Sequence, residues 1–215
     1  MVHSDTVIQL KKTPQLTFLF TKIRNRETKL DEFVFYSDRL LRLLMEEALN
    51  HLPFTATEIQ THLGASFEGC DLSAPFCGVS ILRAGEAMEK ALRDCVPSAP
   101  IGKILIQRDE NTSLPTLYYQ KLPKDISSRF VLLLDPMLAT GGSAIKALDV
   151  LIQAGVKQES ILFCNLICCP KGVDAVAKAY PRVKMISGWM DPELNAKNYI
   201  VPGLGDFGCR YFGTN

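Results

Sequence analysis

The chain has little of the features that mark a protein for nucleic acid, a membrane or secretion. Its 215 residues carry a formal net charge of +1, so no strong overall field attracts nucleic acid or an anionic surface. The longest apolar runs fall far short of the roughly 20 residues that span a bilayer. Residues 1–12 are polar and lack the apolar core of a secretory signal. We therefore expect a protein that has no nucleic acid or membrane as a partner.

Histidine is scarce and cysteine follows no motif, which argues against a zinc site or a disulfide framework. The chain has three histidines and seven cysteines, an odd number. Three of the cysteines lie in or directly after the apolar run 161–169, and the histidines are far from that run in sequence. Because zinc sites need ligands at short, paired spacing, we interpret the cysteines as core thiols in a reducing compartment. This predicts a cytoplasmic protein.

What the chain does have is the composition and periodicity of an α/β protein. It is 47% hydrophobic and 22% charged, as in an ordinary globular domain. From about residue 76 to 187, apolar segments alternate with helical patterns, which indicates βαβ units and a mainly parallel sheet flanked by helices. Before this region, residues 37–51 have a broad apolar stripe at helical spacing. We expect residues 18–215 to form one domain and residues 1–17 to be a loose N-terminal extension.

One strand, turn and helix carry most of the functional information. Four aliphatic residues, 131–134, precede Asp135, and an apolar pattern at helical spacing, 144–154, follows a glycine-rich turn. The carboxylate therefore lies at the carboxyl end of a strand, where open α/β sheets bind ligands. Residues 140–143 offer main-chain N–H groups and two hydroxyls at a helix N-terminus, which suits a phosphate. The turn lacks the Gly-Lys-Ser/Thr of a Walker A loop and the Gly-x-Gly-x-x-Gly of a dinucleotide fold.

A carboxylate beside a phosphate cradle predicts a ligand that carries a phosphate and neighbouring hydroxyl groups. Ribose 5-phosphate has both, because Asp135 would accept hydrogen bonds from the ribose hydroxyls while the turn holds the phosphate. The alternative interpretation is a glycine-rich turn that connects a strand to a helix and binds no ligand.

The turn also resembles a known family residue by residue. Asp-Pro-Met-Leu-Ala-Thr-Gly-Gly-Ser at residues 135–143 is similar to the 5-phosphoribosyl-1-pyrophosphate (PRPP) loop of the phosphoribosyltransferases, in the form that uracil phosphoribosyltransferases have. Residues 78–88, 101–110 and 199–208 are similar to three further segments of that family and follow in the same order.

The resemblance covers about residues 18–214 and, through residues 33–39, is nearer to the eukaryotic-type members of the family. It implies a type I phosphoribosyltransferase-like sheet with a loop-rich C-terminal hood at residues 189–215. It also implies transfer of the 5-phosphoribosyl group from PRPP to uracil, which gives UMP and pyrophosphate. Mg²⁺ would enter with PRPP, not on ligands of the chain itself, and the protein would be a homo-oligomer, a dimer or a tetramer.

The eukaryotic-type relatives further imply GTP as an allosteric activator. The basic stretch 22–29, together with Arg39 and Arg42, is the candidate contact for that nucleotide. The alternative interpretation of these residues is a solvated run of charges.

The resemblance assigns roles to individual residues. The set implied for PRPP is Arg83, Arg108, Asp135, Pro136, Met137, Leu138, Ala139, Thr140, Gly141, Gly142, Ser143 and Asp206. The two arginines would hold the pyrophosphate, which a planar and permanently charged guanidinium suits. Main-chain groups of Ile200, Gly205 and Phe207, with Asp206 beside them, would bind uracil. Asp206 would steady the PRPP-bound Mg²⁺ or assist deprotonation of uracil N1, so the catalytic candidates are Asp206, Arg108 and Asp135.

The chain departs from the family at one position of the hood. The family motif continues Gly-Asp-x-Gly-Asp-Arg, whereas here Cys209 stands before Arg210. If the missing carboxylate orients Arg210 or caps the uracil loop, activity would be lower. Other interpretations stay open at this point: a weakly active or inactive relative that binds PRPP or UMP as a regulator, an RNA-binding regulator, and a transferase for a purine or orotate. The retained PRPP loop and arginines favour an active enzyme over a regulator, and residues 199–208 argue against a purine or orotate substrate.

Overall fold

The structure is a computed structural model that describes residues 7–108 and 115–214, without the side chain of Arg108. The helices are α1 (Pro14–Arg24), α2 (Leu30–Leu49), α3 (Ala87–Cys95), α4 (Gly142–Gln153), α5 (Pro170–Ala179) and α6 (Phe207–Phe212). The strands are β1 (Val7–Gln9), β2 (Phe54–Gln60), β3 (Ser66–Leu72), β4 (Phe76–Leu82), β5 (Ile101–Arg108), β6 (Pro115–Lys121), β7 (Phe130–Leu134), β8 (Met137–Leu138), β9 (Ile161–Cys168), β10 (Lys184–Met190), β11 (Glu193–Leu194) and β12 (Ile200–Val201).

A mainly parallel sheet forms the centre of the protein. The strand order is β1-β10-β9-β7-β4-β5-β6, and the short strand β8 pairs with β9 beyond the end of β7. Neighbouring strands run parallel except β6, which is antiparallel to β5. Every residue of β9 is buried, as expected for a strand that is covered on both faces. The predicted α/β class with a mainly parallel sheet is confirmed.

Helices cover both faces of this sheet. On one face, α1, α2, α3 and α6 pack around a core that includes Leu44, Met88 and Phe207. On the other face, α4 and α5 pack around a core that includes Leu148 and Val173. Each such buried side chain stabilises the fold by roughly 1.5–3 kcal/mol relative to its exposed state. Within residues 7–108 and 115–214, none of the helices has the length and apolarity that crossing a bilayer requires.

Helix α2 begins earlier than its apolar stripe predicts. The stripe placed the start at Ser37, whereas the helix runs from Leu30. Asp31 and Glu32 lie in its first turn, where carboxylates interact favourably with the positive end of the helix dipole. Phe33 is buried in the same turn and anchors it to the core. The helix therefore begins early because of two acidic residues and a buried phenylalanine that precede the leucine-rich stripe in the sequence.

Residues 7–17 differ from the loose extension expected for residues 1–17, of which residues 1–6 lie outside the described part of the structure. Val7–Gln9 form an edge strand that pairs with β10. Helix α1 begins at Pro14, and the Thr13 hydroxyl accepts a hydrogen bond from the Leu16 N–H at 3.1 Å. Threonine at the N-cap and proline in the first turn both favour a helix start. Residues 7–9 and 14–17 are therefore part of the folded unit.

Strands β2 and β3 form an antiparallel hairpin that the sequence reasoning did not predict. Almost all of its residues are exposed, including Phe54, Ile59 and Phe67, so it makes few contacts with the rest of the chain. Because the hairpin contributes little to either core, its apolar side chains need another explanation than packing within one copy.

The carboxyl ends of β4, β5 and β7 lie side by side at one edge of the sheet. The loops that follow β4 and β7 begin with Arg83 and Asp135. Residues 191–206 lie above this edge with only the short strands β11 and β12, and α6 closes the segment. The fold thus places a loop-rich hood over the edge where ligands bind in open α/β sheets.

Candidate active site

A cleft of about 370 Å³ lies between the sheet edge and the hood. It is lined by Arg83, Ala84, Asp135, Met137, Ala139, Asn198, Tyr199, Ile200, Gly205, Asp206, Phe207 and Gly208. A smaller cavity of about 120 Å³ adjoins it, lined by Asp135 and residues 137–144. The two share Asp135, Met137 and Ala139. The predicted loop and the predicted hood residues therefore meet around a continuous cleft, with Asp135 at the junction.

The smaller cavity has the features of an anion site. Helix α4 begins at Gly142, and the residue before it, Gly141, has φ of +85° and provides no side-chain cap. The first main-chain N–H groups of a helix have no partner within it, so those of Gly142, Ser143 and Ala144 are available to a ligand. Here they coincide with the positive end of the α4 dipole. This cavity suits a phosphate group.

Helix α5 fixes the loop from behind. A Cβ added at Gly172 would lie 2.5 Å from the Ala139 carbonyl oxygen, so only glycine permits this approach. The same helix also faces Gly141, where an added Cβ would lie 3.2 Å from the Ala175 Cβ. Close packing of this kind leaves the loop little freedom, so its N–H groups keep their direction before any ligand arrives.

Asp135 is the titratable group at the junction of the two cavities. Its main-chain N–H donates to the Cys164 carbonyl at 3.2 Å, which fixes the residue to β9. Burial raises the pKa of its carboxyl group to about 7, against an opposing hydrogen bond from the Met137 N–H. A carboxylate in this position can accept hydrogen bonds from vicinal hydroxyls, and its charge changes close to neutral pH.

Arg83 faces the hood from the end of β4. Its Nη1 donates to Thr214 Oγ1 at 2.9 Å and its Nη2 to Cys209 Sγ at 3.4 Å. Both acceptors are uncharged, and among the described residues no carboxylate forms an ion pair with this guanidinium. The positive charge of Arg83 is therefore available to an anionic ligand in the cleft.

Arg108 ends strand β5, next to β4 in the sheet. Its side chain lies outside the described part of the structure. Its assignment to the pyrophosphate of PRPP therefore stays a prediction, which the position of its backbone at the carboxyl edge supports.

The hood presents main chain to the cleft. Ile200 and Phe207 both line it, yet they are 4% and 1% exposed. The Phe207 ring packs in the core against Phe33 and Tyr211, with centroids 5.6 and 5.4 Å apart. With these side chains directed inward, the peptide groups are what a ligand meets. Gly205, at φ +85°, has no side chain to obstruct the same surface.

The Asp206 side chain caps helix α6 and also lines the cleft. It is the N-cap of α6, and its Oδ1 accepts the Cys209 N–H at 2.6 Å. The residue is exposed and lines the cleft, so the rest of its carboxylate faces the ligand space. The cap bond fixes the side chain, and its negative charge is then held at a defined place beside the main-chain surface.

Two residues that the sequence reasoning did not single out belong to this site. Asn198 lines the cleft, and Thr214 accepts from Arg83. Asn198 has φ of +61°, a conformation that asparagine tolerates better than most residues. Nothing in the local sequence indicates that this turn faces the cleft, because the turn reaches it only through the fold of the hood.

In the structure the Cys209 side chain does not orient Arg210, the neighbour that the family motif suggested. Arg210 donates to the main-chain oxygens of Ile23 and Leu204, both at 2.6 Å, and of Asn25 at 2.9 Å. These carbonyl groups orient Arg210 without any carboxylate at position 209. The Cys209 thiol instead contacts Arg83. Residue 209 therefore belongs to the arginine side of the cleft, not to the base side.

We expect Cys209→Asp to raise the KM for PRPP by about two- to fivefold and to leave the KM for uracil nearly unchanged. The new carboxylate would pair with Arg83 and compete with the ligand's phosphates, and an exposed ion pair is worth only about 0–1 kcal/mol. Cys209→Ser is the matched control because it keeps a weak, neutral acceptor. Steady-state kinetics for both substrates test this, and a change confined to uracil would contradict the contact with Arg83.

Comparison with known proteins agrees with this geometry. The sequence profile described as uracil phosphoribosyltransferase matches residues 10–214. The chain belongs to the uracil phosphoribosyltransferase family. A curated member of this family, the uracil phosphoribosyltransferase of Dictyostelium discoideum, is 55% identical over 214 residues, which cover 100% of this chain and 99% of the relative.

Solved structures show the same fold. A protein of Aquifex aeolicus superposes with a TM-score of 0.85 at 29% identity, over 97% of this chain and 99% of that one. The adenine phosphoribosyltransferase of Trypanosoma brucei, solved with AMP, pyrophosphate and ribose 5-phosphate, has a TM-score of 0.58 at 12% identity, over 96% and 90% of the two chains. That likeness concerns the fold alone. The family, the type I phosphoribosyltransferase-like fold and the transferase class expected from the sequence are confirmed.

Proposed function

We propose that the protein transfers the 5-phosphoribosyl group from PRPP to uracil and releases UMP and pyrophosphate, a step of pyrimidine salvage. One observation carries the proposal: a carboxylate, Asp135, stands between a phosphate cavity and a cleft faced by main chain. A ribose with a 5-phosphate on one side and a base on the other fits that order. The family match supports the same reaction.

PRPP would bind across the sheet edge. Its 5-phosphate would lie in the cavity of residues 137–144, and its ribose hydroxyls would donate to Asp135. Its pyrophosphate would then extend toward Arg83 and Arg108 at the ends of β4 and β5. Charge-assisted hydrogen bonds from a guanidinium are strong with phosphate oxygens, so these arginines would also stabilise the charge that develops as pyrophosphate leaves.

Uracil would lie against the main chain of Ile200, Gly205 and Phe207. Its edge alternates carbonyl acceptors with an imide N–H, which matches the N–H and carbonyl groups of a peptide chain. The base is neutral, and the described hood residues that line the cleft, within 198–208, include no basic side chain. Displacement at the anomeric carbon needs no covalent nucleophile, so the main contribution of the cleft is to orient the two substrates and to exclude water.

Asp206 would act on the charged side of the reaction. Oxygen ligands suit Mg²⁺, and Asp206 lines the cleft with carboxylate oxygen beyond its cap bond. We propose that it steadies the Mg²⁺ that accompanies PRPP, or the waters of that ion, or accepts the proton of uracil N1. When bound together with PRPP, the ion would supply positive charge that offsets the charge of the leaving group.

We also propose that the protein is a homo-oligomer, a dimer or a tetramer. The β2–β3 hairpin exposes Phe54, Ile59 and Phe67, which are 45–56% exposed in the single chain. Ile59 and Phe67 pair across the two strands on one face of the hairpin, and Phe54 lies on the other face beside Leu72. Exposed apolar side chains of this kind are typical of a protein interface. The free state of all seven cysteines supports a reducing, cytoplasmic location.

GTP as an activator is a further part of the proposal. Arg39 and Arg42 line a cavity of about 480 Å³ beside α2, together with the ring of Phe35. The Arg39 guanidinium lies 5.7 Å from the Phe35 ring centroid, and Arg42 makes an exposed pair with Glu46 at 3.3 Å. An exposed pair is weak, so both arginines could contact phosphates while a base stacks on the ring. Arg24, in the basic stretch 22–29, is instead paired with Asp191.

The test is formation of UMP from labelled uracil and PRPP with Mg²⁺, with and without GTP. Production of UMP and pyrophosphate in equal amounts is the expected result, with orotate and hypoxanthine as negative controls. Turnover of orotate or hypoxanthine but not of uracil would refute the proposed substrate. The alternative of an inactive PRPP- or UMP-binding regulator is not favoured, because the loop, Asp135, Arg83 and Asp206 are all in place around the cleft; tight binding of UMP with no turnover would support it.

A further inference from the structure

A buried ion pair lies behind the base-facing part of the hood. Asp191 follows β10 and is 2% exposed. Arg24, at the end of α1, donates from Nη2 to Asp191 Oδ1 and from Nη1 to Asp191 Oδ2, both at 2.8 Å. The pair is bidentate, a geometry that fixes direction as well as distance. Neither residue lines the cleft.

The same two side chains hold one glycine of the hood from both sides. Asp191 Oδ2 accepts the Gly203 N–H at 2.9 Å, and Arg24 Nη1 donates to the Gly203 carbonyl at 2.8 Å. Gly203 has φ of +60°, and a Cβ there would lie 2.0 Å from the Ile200 carbonyl oxygen. These contacts restrict the main chain between Ile200 and Gly205 to one conformation, and the ion pair stabilises that conformation.

Two aromatic rings fix the arginine in turn. The Arg24 guanidinium carbon lies 5.4 Å from the centroid of Phe20 and 5.7 Å from that of Trp189. Phe20 and Trp189 also contact each other, with centroids 5.1 Å apart. This contact gives Trp189, for which the sequence suggested no role, a place in the support of the hood.

A second arginine ties the next residue of the turn to the same helix end. Arg210 Nη1 donates both to Leu204 O and to Ile23 O, and its guanidinium lies 4.1 Å from the ring of Phe33. Gly203 and Leu204 are thus connected to the end of α1 by separate arginines. The main chain that faces the cleft at Ile200 and Gly205 lies on either side of this connection.

We propose that Arg24 and Asp191 are positioning residues for the base: they hold the main chain of residues 200–207 in the geometry that binds uracil without touching it. This rests on the proposed function above. Recognition by peptide groups depends on where the chain runs, so a small displacement of the turn weakens every contact with the base together. The phosphate cavity is lined by Asp135 and residues 137–144, and neither Arg24 nor Asp191 is among its lining residues.

The test compares Arg24→Lys and Asp191→Asn with the wild type in the full-length protein. Lysine keeps the charge but loses the bidentate fork, and asparagine keeps the shape but replaces one acceptor by a donor. We expect the KM for uracil to rise about five- to tenfold in each variant. We expect the KM for PRPP to stay within about twofold of the wild type.

The chain offers a closely matched control in Arg129→Lys. Arg129 makes a bidentate pair with Asp125 at 2.9 and 2.7 Å and donates to the Phe76 carbonyl at 3.1 Å, at the opposite edge of the sheet. If Arg24 acted only through overall stability, Arg129→Lys would change uracil kinetics as much. Equal effects of the two lysine variants, or equal changes in both KM values, would overturn the proposal.

Hydrogen exchange gives a second measurement that needs no turnover. The main-chain amides of residues 203–207 should exchange faster in Arg24→Lys than in the wild type, while Arg129→Lys leaves them unchanged. Unchanged exchange at these amides in Arg24→Lys would refute the tether even if kinetics shift. A wild-type protein that makes no UMP would sink the proposed reaction instead, and the exchange result would still decide whether Arg24 fixes the turn.

Discussion

Asp206→Asn is expected to lower kcat for UMP formation by about a hundredfold or more while leaving helix α6 in place. Asparagine is as good an N-cap as aspartate, so the bond to the Cys209 N–H is retained. What is lost is the negative charge beside the cleft, and with it the support of Mg²⁺ or the acceptor for the N1 proton. Proton transfer by a positioned group is worth about 10²–10⁴-fold in rate.

Asp206→Ala separates the cap from the charge. It should match asparagine in kcat and in addition lower the melting temperature, because loss of an N-cap costs about 0.5–2 kcal/mol. Thr13→Ala is the matched control, since Thr13 caps α1 through the Leu16 N–H at 3.1 Å and has no contact with the cleft. It should reduce stability and leave kcat unchanged. Near-normal turnover of a folded Asp206→Asn protein would show that the charge is not used in the reaction.

Asp135→Asn is expected to lower kcat/KM for PRPP and to raise the free energy of unfolding. A hydrogen bond to a charged group contributes about 1.5–3 kcal/mol, so kcat/KM for PRPP should fall roughly 10–100-fold. The stability gain arises because burial disfavours the Asp135 carboxylate, as its pKa of about 7 indicates. Asparagine fills the same space without a charge.

The pH dependence of this gain has a defined sign. Between the ordinary carboxyl pKa of 3.8 and about 7, the folded protein retains a proton on Asp135 that the unfolded chain has released. The free energy of unfolding of the wild type therefore falls as pH rises through that window. Asparagine does not titrate, so the Asp135→Asn variant does not show this decrease. The difference in melting temperature, variant minus wild type, should grow between about pH 4 and pH 7 and level off above that. Thermal unfolding at four pH values measures it.

Kinetics should follow the same titration in reverse. Protonation removes an acceptor from Asp135, so kcat/KM of the wild type for PRPP should fall as pH drops below about 7, whereas that of Asp135→Asn should vary less. A melting-temperature difference that does not change with pH would mean that the Asp135 carboxyl group does not titrate with a raised pKa.

The sequence was sufficient to locate the phosphate side of the cleft because the residues that form it are consecutive in the chain. Strand β7, Asp135, the glycine turn and α4 are consecutive, so hydrophobic periodicity and turn composition specify them together. The type of sheet followed in the same way from the alternation of apolar segments and helices. Helix α1 and the β2–β3 hairpin were not predicted, since neither follows from the alternation that identified the central sheet.

The base side of the cleft was assigned by resemblance alone, and its supports were not predictable. Arg24 and Asp191 are 167 residues apart, and Arg83 and Cys209 are 126 apart. Contacts at such separation depend on how α1, α6 and the hood pack on one face of the sheet. The conformations of Asn198 and Gly203 likewise result from tertiary packing, which a window of a few residues does not contain.

The double role of Ile200 and Phe207 limits how this cleft can evolve. Each contributes its side chain to the core and its peptide group to the ligand space. A substitution that shifts the peptide group also disturbs the packing around Phe33 and Tyr211, so altered recognition and misfolding arise from the same event. Selection against unfolded chains therefore protects base preference as well. A lineage that acquires a new base would do so by rebuilding the hood, through insertion or deletion, and not by exchanging single side chains.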